Sequence, residues 1–206
     1  MFCERYDSFV EELKRRGFTV HDAKDGKEAL DIALKTIGKG TSIGCGGSMT
    51  IKDIGLPDAL RAQGNDVFFH WDVPPEDRNE VFKNAALADW YVCSANAITR
   101  KAKIINIDGN GNRVSGSFFG PRRKVMMIIG KNKFAEDLES GFDRVKKVAC
   151  VKNAQRFGLK TPCVVTGKCT DCYSPQRICK ITTIIECLPG FVQEMHLILV
   201  DEELGY

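Results

Sequence analysis

The sequence predicts an α/β domain, an open and mainly parallel sheet held between two layers of helices. Three observations point there. Apolar segments of strand length alternate with amphipathic segments of helix length along most of the 206 residues, the pattern left by βαβ units. One segment, "KVMMIIG" (124–130), is apolar almost without a break, as in strands buried on both faces of a parallel sheet. The hydrophobic fraction of 43% is enough for a globular core.

The elements follow in chain order. Residues 4–16 have helical periodicity, with Phe9, Val10 and Leu13 on one face, and Gly17 ends the helix. "FTVHDA" is a strand, and Asp25 is placed to cap a helix over 26–37 that turns Ala29, Leu30, Ala33 and Ile37 inward. "TSIG", "DVFFH" and "DWYVC" are strands, with a helical segment over 76–87 between the last two. "AKIINID" and "NRVSGSF" alternate around the turn "DGNGN" and predict a hairpin over 103–119. "FAEDLESGFDRVKKVA" is a helix, and "ITTIIEC" and "MHLILVDE" are the final strands. There is no internal repeat. The composition shifts only at 150–180, which is loop-like and rich in Cys, Lys, Thr and Pro. The expectation is a single domain over 1–206 with the cysteine-rich segment 150–180 inside it.

Charge excludes some classes of partner. Thirty basic and 27 acidic side chains leave a net charge of +3, with no basic block of the kind that grips nucleic acid. No run approaches the ~18 apolar residues of a membrane span, and the N-terminal stretch lacks a signal peptide's apolar core. A cytoplasmic location is therefore expected, where thiols stay reduced. Nine cysteines are an odd number and argue further against a disulfide framework.

Three places could carry chemistry. In "SIGCGGSMT" a strand runs into Gly44, Gly46, Gly47 and Ser48 before a helix. Glycines bring backbone N–H groups near a ligand, and a helix start favours an anion. The pattern is neither a Walker A loop nor a full dinucleotide fingerprint, and a tight turn with Ser48 as a plain cap explains it equally well. In "SANAITRKAKIINIDGNGNRV", Asp108, Asn110 and Asn112 imitate a calcium loop, but Arg113 and Phe119 stand where glycine and glutamate are required. Asn96 ends a strand, where α/β sheets place ligand groups. The same argument selects Lys131 or Lys133 after strand 124–129. His70 ends a strand too, although a structural role is the commoner fate of such a histidine.

The third place is "CVVTGKCTDCYSPQRIC". Cys163, Cys169, Cys172 and Cys179 are spaced C-x5-C-x2-C-x6-C. Thiolates are soft ligands, and four of them close a site for zinc or an iron–sulfur cluster. Disulfides, a redox dithiol and plain packing are the competing readings. The polar, Gly- and Pro-containing surroundings speak against packing. Cys3, Cys45, Cys93, Cys150 and Cys187 read as core or incidental, with Cys45 the one in a candidate ligand loop.

"SIGCGGSMTIKDIGL", "SANAITRKAKIINIDGNGNRVSGSFFGPRRKVMMIIGKNKFAEDLESGFDRV" and "LILVDEELGY" resemble the LUD, or lactate-utilisation, domain family over nearly the whole chain. The resemblance implies an open three-layer α/β/α fold akin to sugar-phosphate isomerases and CoA transferases. It also implies a ligand pocket floored by Gly44, Gly46, Gly47 and Ser48, with Asn96 and Lys133 beside it. Some members work with iron–sulfur partner proteins in oxidising lactate to pyruvate, and the cysteine segment resembles that of a short subgroup. Two functions follow as expectations. One is a redox-linked component of lactate or related organic-acid metabolism, carrying a four-iron cluster and meeting an iron–sulfur partner protein. The other is an isomerase or acyl-transfer enzyme with structural zinc or no metal. Either would take a small anionic organic ligand; catalytic residues and a homo-oligomer are left open.

Overall fold

The computed structural model describes residues 7–120 and 123–206; residues 4–6 of the first expected helix, and Cys3, lie outside them. The chain runs through α1 (Asp7–Arg15), β1 (Thr19–Ala23), α2 (Gly26–Ile37), β2 (Ser42–Cys45), α3 (Met49–Asp53), α4 (Leu56–Ala62) and β3 (Asp66–Phe69). It continues with α5 (Arg78–Leu87), β4 (Trp90–Cys93), β5 (Ala97–Thr99), β6 (Ile104–Asp108), α6 (Asn112–Phe118), β7 (Arg123–Gly130) and β8 (Phe134–Ala135). Then come α7 (Leu138–Arg144), a π turn (Val145–Ala149), α8 (Cys150–Arg156), α9 (Pro162–Thr166), β9 (Ile181–Ile185) and β10 (Val192–Val200).

Six strands form one sheet in the order β1-β10-β7-β4-β2-β3, every pair parallel. Side chains alternate across it. Val125, Met127 and Ile129 of β7 enter a core with Phe9, Val10 and Leu13 of α1. Met126 and Ile128 enter the opposite core with Ala29, Ala33, Ile51 and Leu60 of the helices α2, α3 and α4. This period of two, buried on both sides, explains the unbroken apolar run. Each fully buried side chain of this size contributes about 1.5–3 kcal/mol. Asp25 caps α2 as its sequence predicts, its carboxylate accepting the Glu28 N–H at 2.8 Å.

A second, mixed sheet, β8-β5-β6-β9, joins the α1 side of the core through Ile98, Ile104 and Ile185. Here the expected hairpin over 103–119 is wrong. Its first half is β6, but "NRVSGSF" is the helix α6. The Asp108 carboxylate accepts the N–H groups of Asn110, Arg113 and Val114 at 3.3, 2.9 and 3.2 Å, so it satisfies the start of a helix. Gly111, at φ 89°, supplies the left-handed turn before it. The antiparallel partners of β6 are β5 and the distant β9. The long helix expected over 134–149 also starts late. Phe134–Ala135 pairs with β5, and Asp137 and Ser140 form a capping box that opens α7.

Among the described residues, no helix is long and apolar enough to cross a membrane.

Candidate functional site

A cleft of about 280 Å³ opens at the carboxyl ends of the parallel strands, where α/β sheets place ligands. Gly47 and Ser48 reach it from β2, His70 and Trp71 from β3, Ser94 and Asn96 from β4, and Lys133 from β7. Of the residues expected to bind a ligand, Gly47, Ser48, Asn96 and Lys133 therefore line it. Gly44 and Gly46 do other work. A Cβ on Gly44 would sit 2.5 Å from the Ala85 carbonyl oxygen, so that glycine lets α5 lie on the sheet. A Cβ on Gly46 would sit 3.1 Å from Cγ of Arg113, so that glycine clears the path of an arginine into the cleft. Ser48 occupies the N-cap position of α3 but makes no capping hydrogen bond.

Lys133 is the charged group at the back of the cleft. Its residue is 2% exposed, and its Nζ donates to Thr50 Oγ1 at 2.5 Å and Ser94 Oγ at 2.7 Å. Burial, and then the nearby Arg144 and Arg113, bring its pKa down from 10.5 to about 7. Lys131, the alternative, is spent on Asp201, whose main-chain oxygen accepts from its Nζ at 3.0 Å. Asn96 is a junction. Its Oδ1 accepts from the Ile107 N–H at 2.9 Å and from Arg113 Nη2 at 2.7 Å, and its main-chain oxygen accepts from Arg144. Arg113 also donates to the Ile107 carbonyl and lines the cleft.

His70 faces the same space. Burial, then Arg78, lowers its pKa to about 4, so the ring is neutral at physiological pH. At the mouth, Arg156 stacks over Trp71 at 4.4 Å and donates to Tyr206 Oη at 2.7 Å; Tyr206 donates on to Asn153 Oδ1 at 3.1 Å. Arg113, Arg156 and Tyr206 were missed in the sequence. A signal existed for the α8 wall. Cys150, Asn153 and Arg156 lie three apart, and all three line the cleft.

Cys163, Cys169, Cys172 and Cys179 do come together, around one small cavity of about 20 Å³. A fifth thiol, Cys150, joins them there. It is buried in α8 and packs with Cys179, Val145 and Ile107. The Cys150–Cys179 hydrogen bond lowers the pKa of Cys179, with Lys146 and Arg177 adding to the effect. Arg177 ties the segment together. It donates to the carbonyls of Cys179 and Cys172 at 2.9 and 2.8 Å and to the Asp171 carboxylate at 2.8 Å. Soft donors around one cavity, with basic groups to offset their charge, fit a thiolate-held centre. As placed, no three His, Cys, Asp or Glu side chains among the described residues converge closely enough to hold an ion. Cys45, by contrast, is buried and its pKa is pushed up to about 12, so it is no reactive thiol.

A family model described as LUD domain matches residues 6–200. Among solved structures the fold is similar to the crystal structure of a DUF162 family protein from Deinococcus radiodurans. That match has 12% identity and a TM-score of 0.57, over 96% of this chain and 97% of that one. None of the curated proteins matches the sequence.

Proposed function

The chain belongs to the LUD domain family, and from that premise we propose that it is a redox-linked component of organic-acid metabolism. In this reading the cleft binds a small organic anion of the lactate or pyruvate class. Cys163, Cys169, Cys172 and Cys179 hold an iron–sulfur cluster, and such a cluster supplies one-electron transfer. One observation carries the reading. Cys150 and Ile178 form part of the wall of the cleft and part of the wall of the cysteine cavity. A ligand in the first and a centre in the second would be separated by a single layer of side chains.

The chain's own residues supply the rest. Lys133 and Arg113 make the cleft cationic, while Asp108 has its carboxylate committed to backbone N–H groups. Trp71 and Phe157 give it an apolar rim. A short carboxylate with an apolar tail is the ligand such a lining favours.

The test is purification without oxygen, followed by iron, sulfide and zinc analysis. A brown protein is expected, and replacing any one of the four cysteines by serine should lower the iron while the circular dichroism of the core persists. A colourless, zinc-loaded protein would overturn the iron and favour an isomerase or acyl-transfer role. Calorimetric titration with lactate and with pyruvate tests the cleft; binding that survives Lys133→Met undiminished would place the ligand elsewhere.

A further inference from the structure

We infer that Lys133 is a nucleophile that forms an imine with the carbonyl carbon of a small 2-oxo acid in the cleft. The inference rests on the organic-acid reading above and assigns the chemistry of that site.

The geometry turns on two hydroxyl protons. Thr50 donates its own to the Leu204 carbonyl at 3.3 Å, and Ser94 donates its own to the Ile128 carbonyl at 2.6 Å. Both hydroxyls can therefore only accept from Lys133, which lies 2.5 and 2.7 Å away. A neutral amine has two N–H bonds and one lone pair. Here both N–H bonds are taken, and the lone pair keeps the remaining direction at a residue that lines the cleft. No carboxylate accepts from the amine among the described residues. The charged and titratable groups acting on it are Arg144, Arg113, Cys93 and Asp53, and with burial they leave a substantial neutral fraction near pH 7. A desolvated lysine beside other cations is how an amine is made nucleophilic at neutral pH. Arg113 lines the same space and supplies a cation for the carboxylate of the acid.

The step balances without a further reactant. The amine nitrogen attacks C2 of the oxo acid. The carbonyl oxygen leaves as water, taking both amine protons, and a carbon–nitrogen double bond remains. Once protonated, the imine draws electrons from C3, whose protons then exchange with solvent. Hydrolysis returns the acid and the free lysine.

The experiment uses the full chain with pyruvate and cyanoborohydride, then peptide mass mapping. A carboxyethyl group on Lys133, one per chain, is the expected result. Lactate, which has no carbonyl, should leave no label. In D2O the protein should exchange the methyl protons of pyruvate, followed by NMR. Lys133→Arg keeps the positive charge but not the nucleophile, so it should retain binding while exchange falls at least tenfold. Pyruvate that binds by calorimetry yet labels only surface lysines would overturn the imine and leave the proposed function standing. If pyruvate and lactate both fail to bind, the organic-acid reading falls and the imine with it.

Discussion

Strand β7 and the cysteine segment occupy the same chain but are ordered by different forces. In β7, Val125, Met126, Met127 and Ile128 are fully buried, and hydrogen-bonded strands flank it on both sides. Between 163 and 179 the chain exposes Val165 at 87% and Tyr173 at 100%. Its order rests on polar knots, above all the four hydrogen bonds and ion pairs of Arg177 to Cys172, Cys179 and Asp171. The sheet is held by burial and needs no ligand. The segment has little burial to draw on, so what its sulfurs hold decides how firmly it is fixed.

The difference can be broken most directly by truncation in each half. Ile128→Ala should cost about 3–4 kcal/mol in a urea titration, through lost burial and the cavity left behind. Val165→Ala should stay within roughly 0.5 kcal/mol. Equal costs would mean that the segment is a true part of the core.

The sheet is not uniformly stabilising, and pH should reveal where. The pKa of Lys133 falls from 10.5 unfolded to about 7 folded, so between those values the unfolded chain binds more protons and stability rises with pH. The contribution of the neutral amine is complete above the unfolded value and lost as pH falls through the folded one. Comparing Lys133→Met with the parent isolates it. The variant's relative stability should be highest near pH 6 and decline by a few kcal/mol, roughly, toward pH 10. A flat difference would show Lys133 to be ordinarily solvated.

A smaller effect sharpens the contrast from the other side. Arg177→Met removes the segment's main hub and should loosen it by about 1–2 kcal/mol. Amide exchange should quicken over 160–180 and stay unchanged in β7 and β10. Faster exchange in the sheet would show that the two regions unfold together.

What the sequence made legible divides along the same line. The parallel strands could be read because each is a short apolar run, and Asp25 because an N-cap is a local device. The hairpin over 103–119 failed for two physical reasons. The alternation in "NRVSGSF" is outweighed by one carboxylate, Asp108, gathering helix-start N–H groups. The true partner of β6 lies far along the chain, with Ile104 opposite Ile185, and no local pattern encodes that pairing. In the cleft, Lys133 and Asn96 were readable from their place after strands. Cys150 was not, because an apolar helix position hides a thiol that serves two cavities.

The π turn before Cys150 has a consequence for comparing chains. The Cys150 N–H reaches back to the Val145 carbonyl, one residue further than an α-helix allows. Deleting one residue from 145–149 would let the helix close regularly and rotate everything after it by about 100°. Cys150, Asn153 and Arg156 would then leave the cleft together with their identities unchanged. Among related chains, the residue count between Asp137 and the thiol is therefore a better guide to a shared site than the presence of the thiol itself.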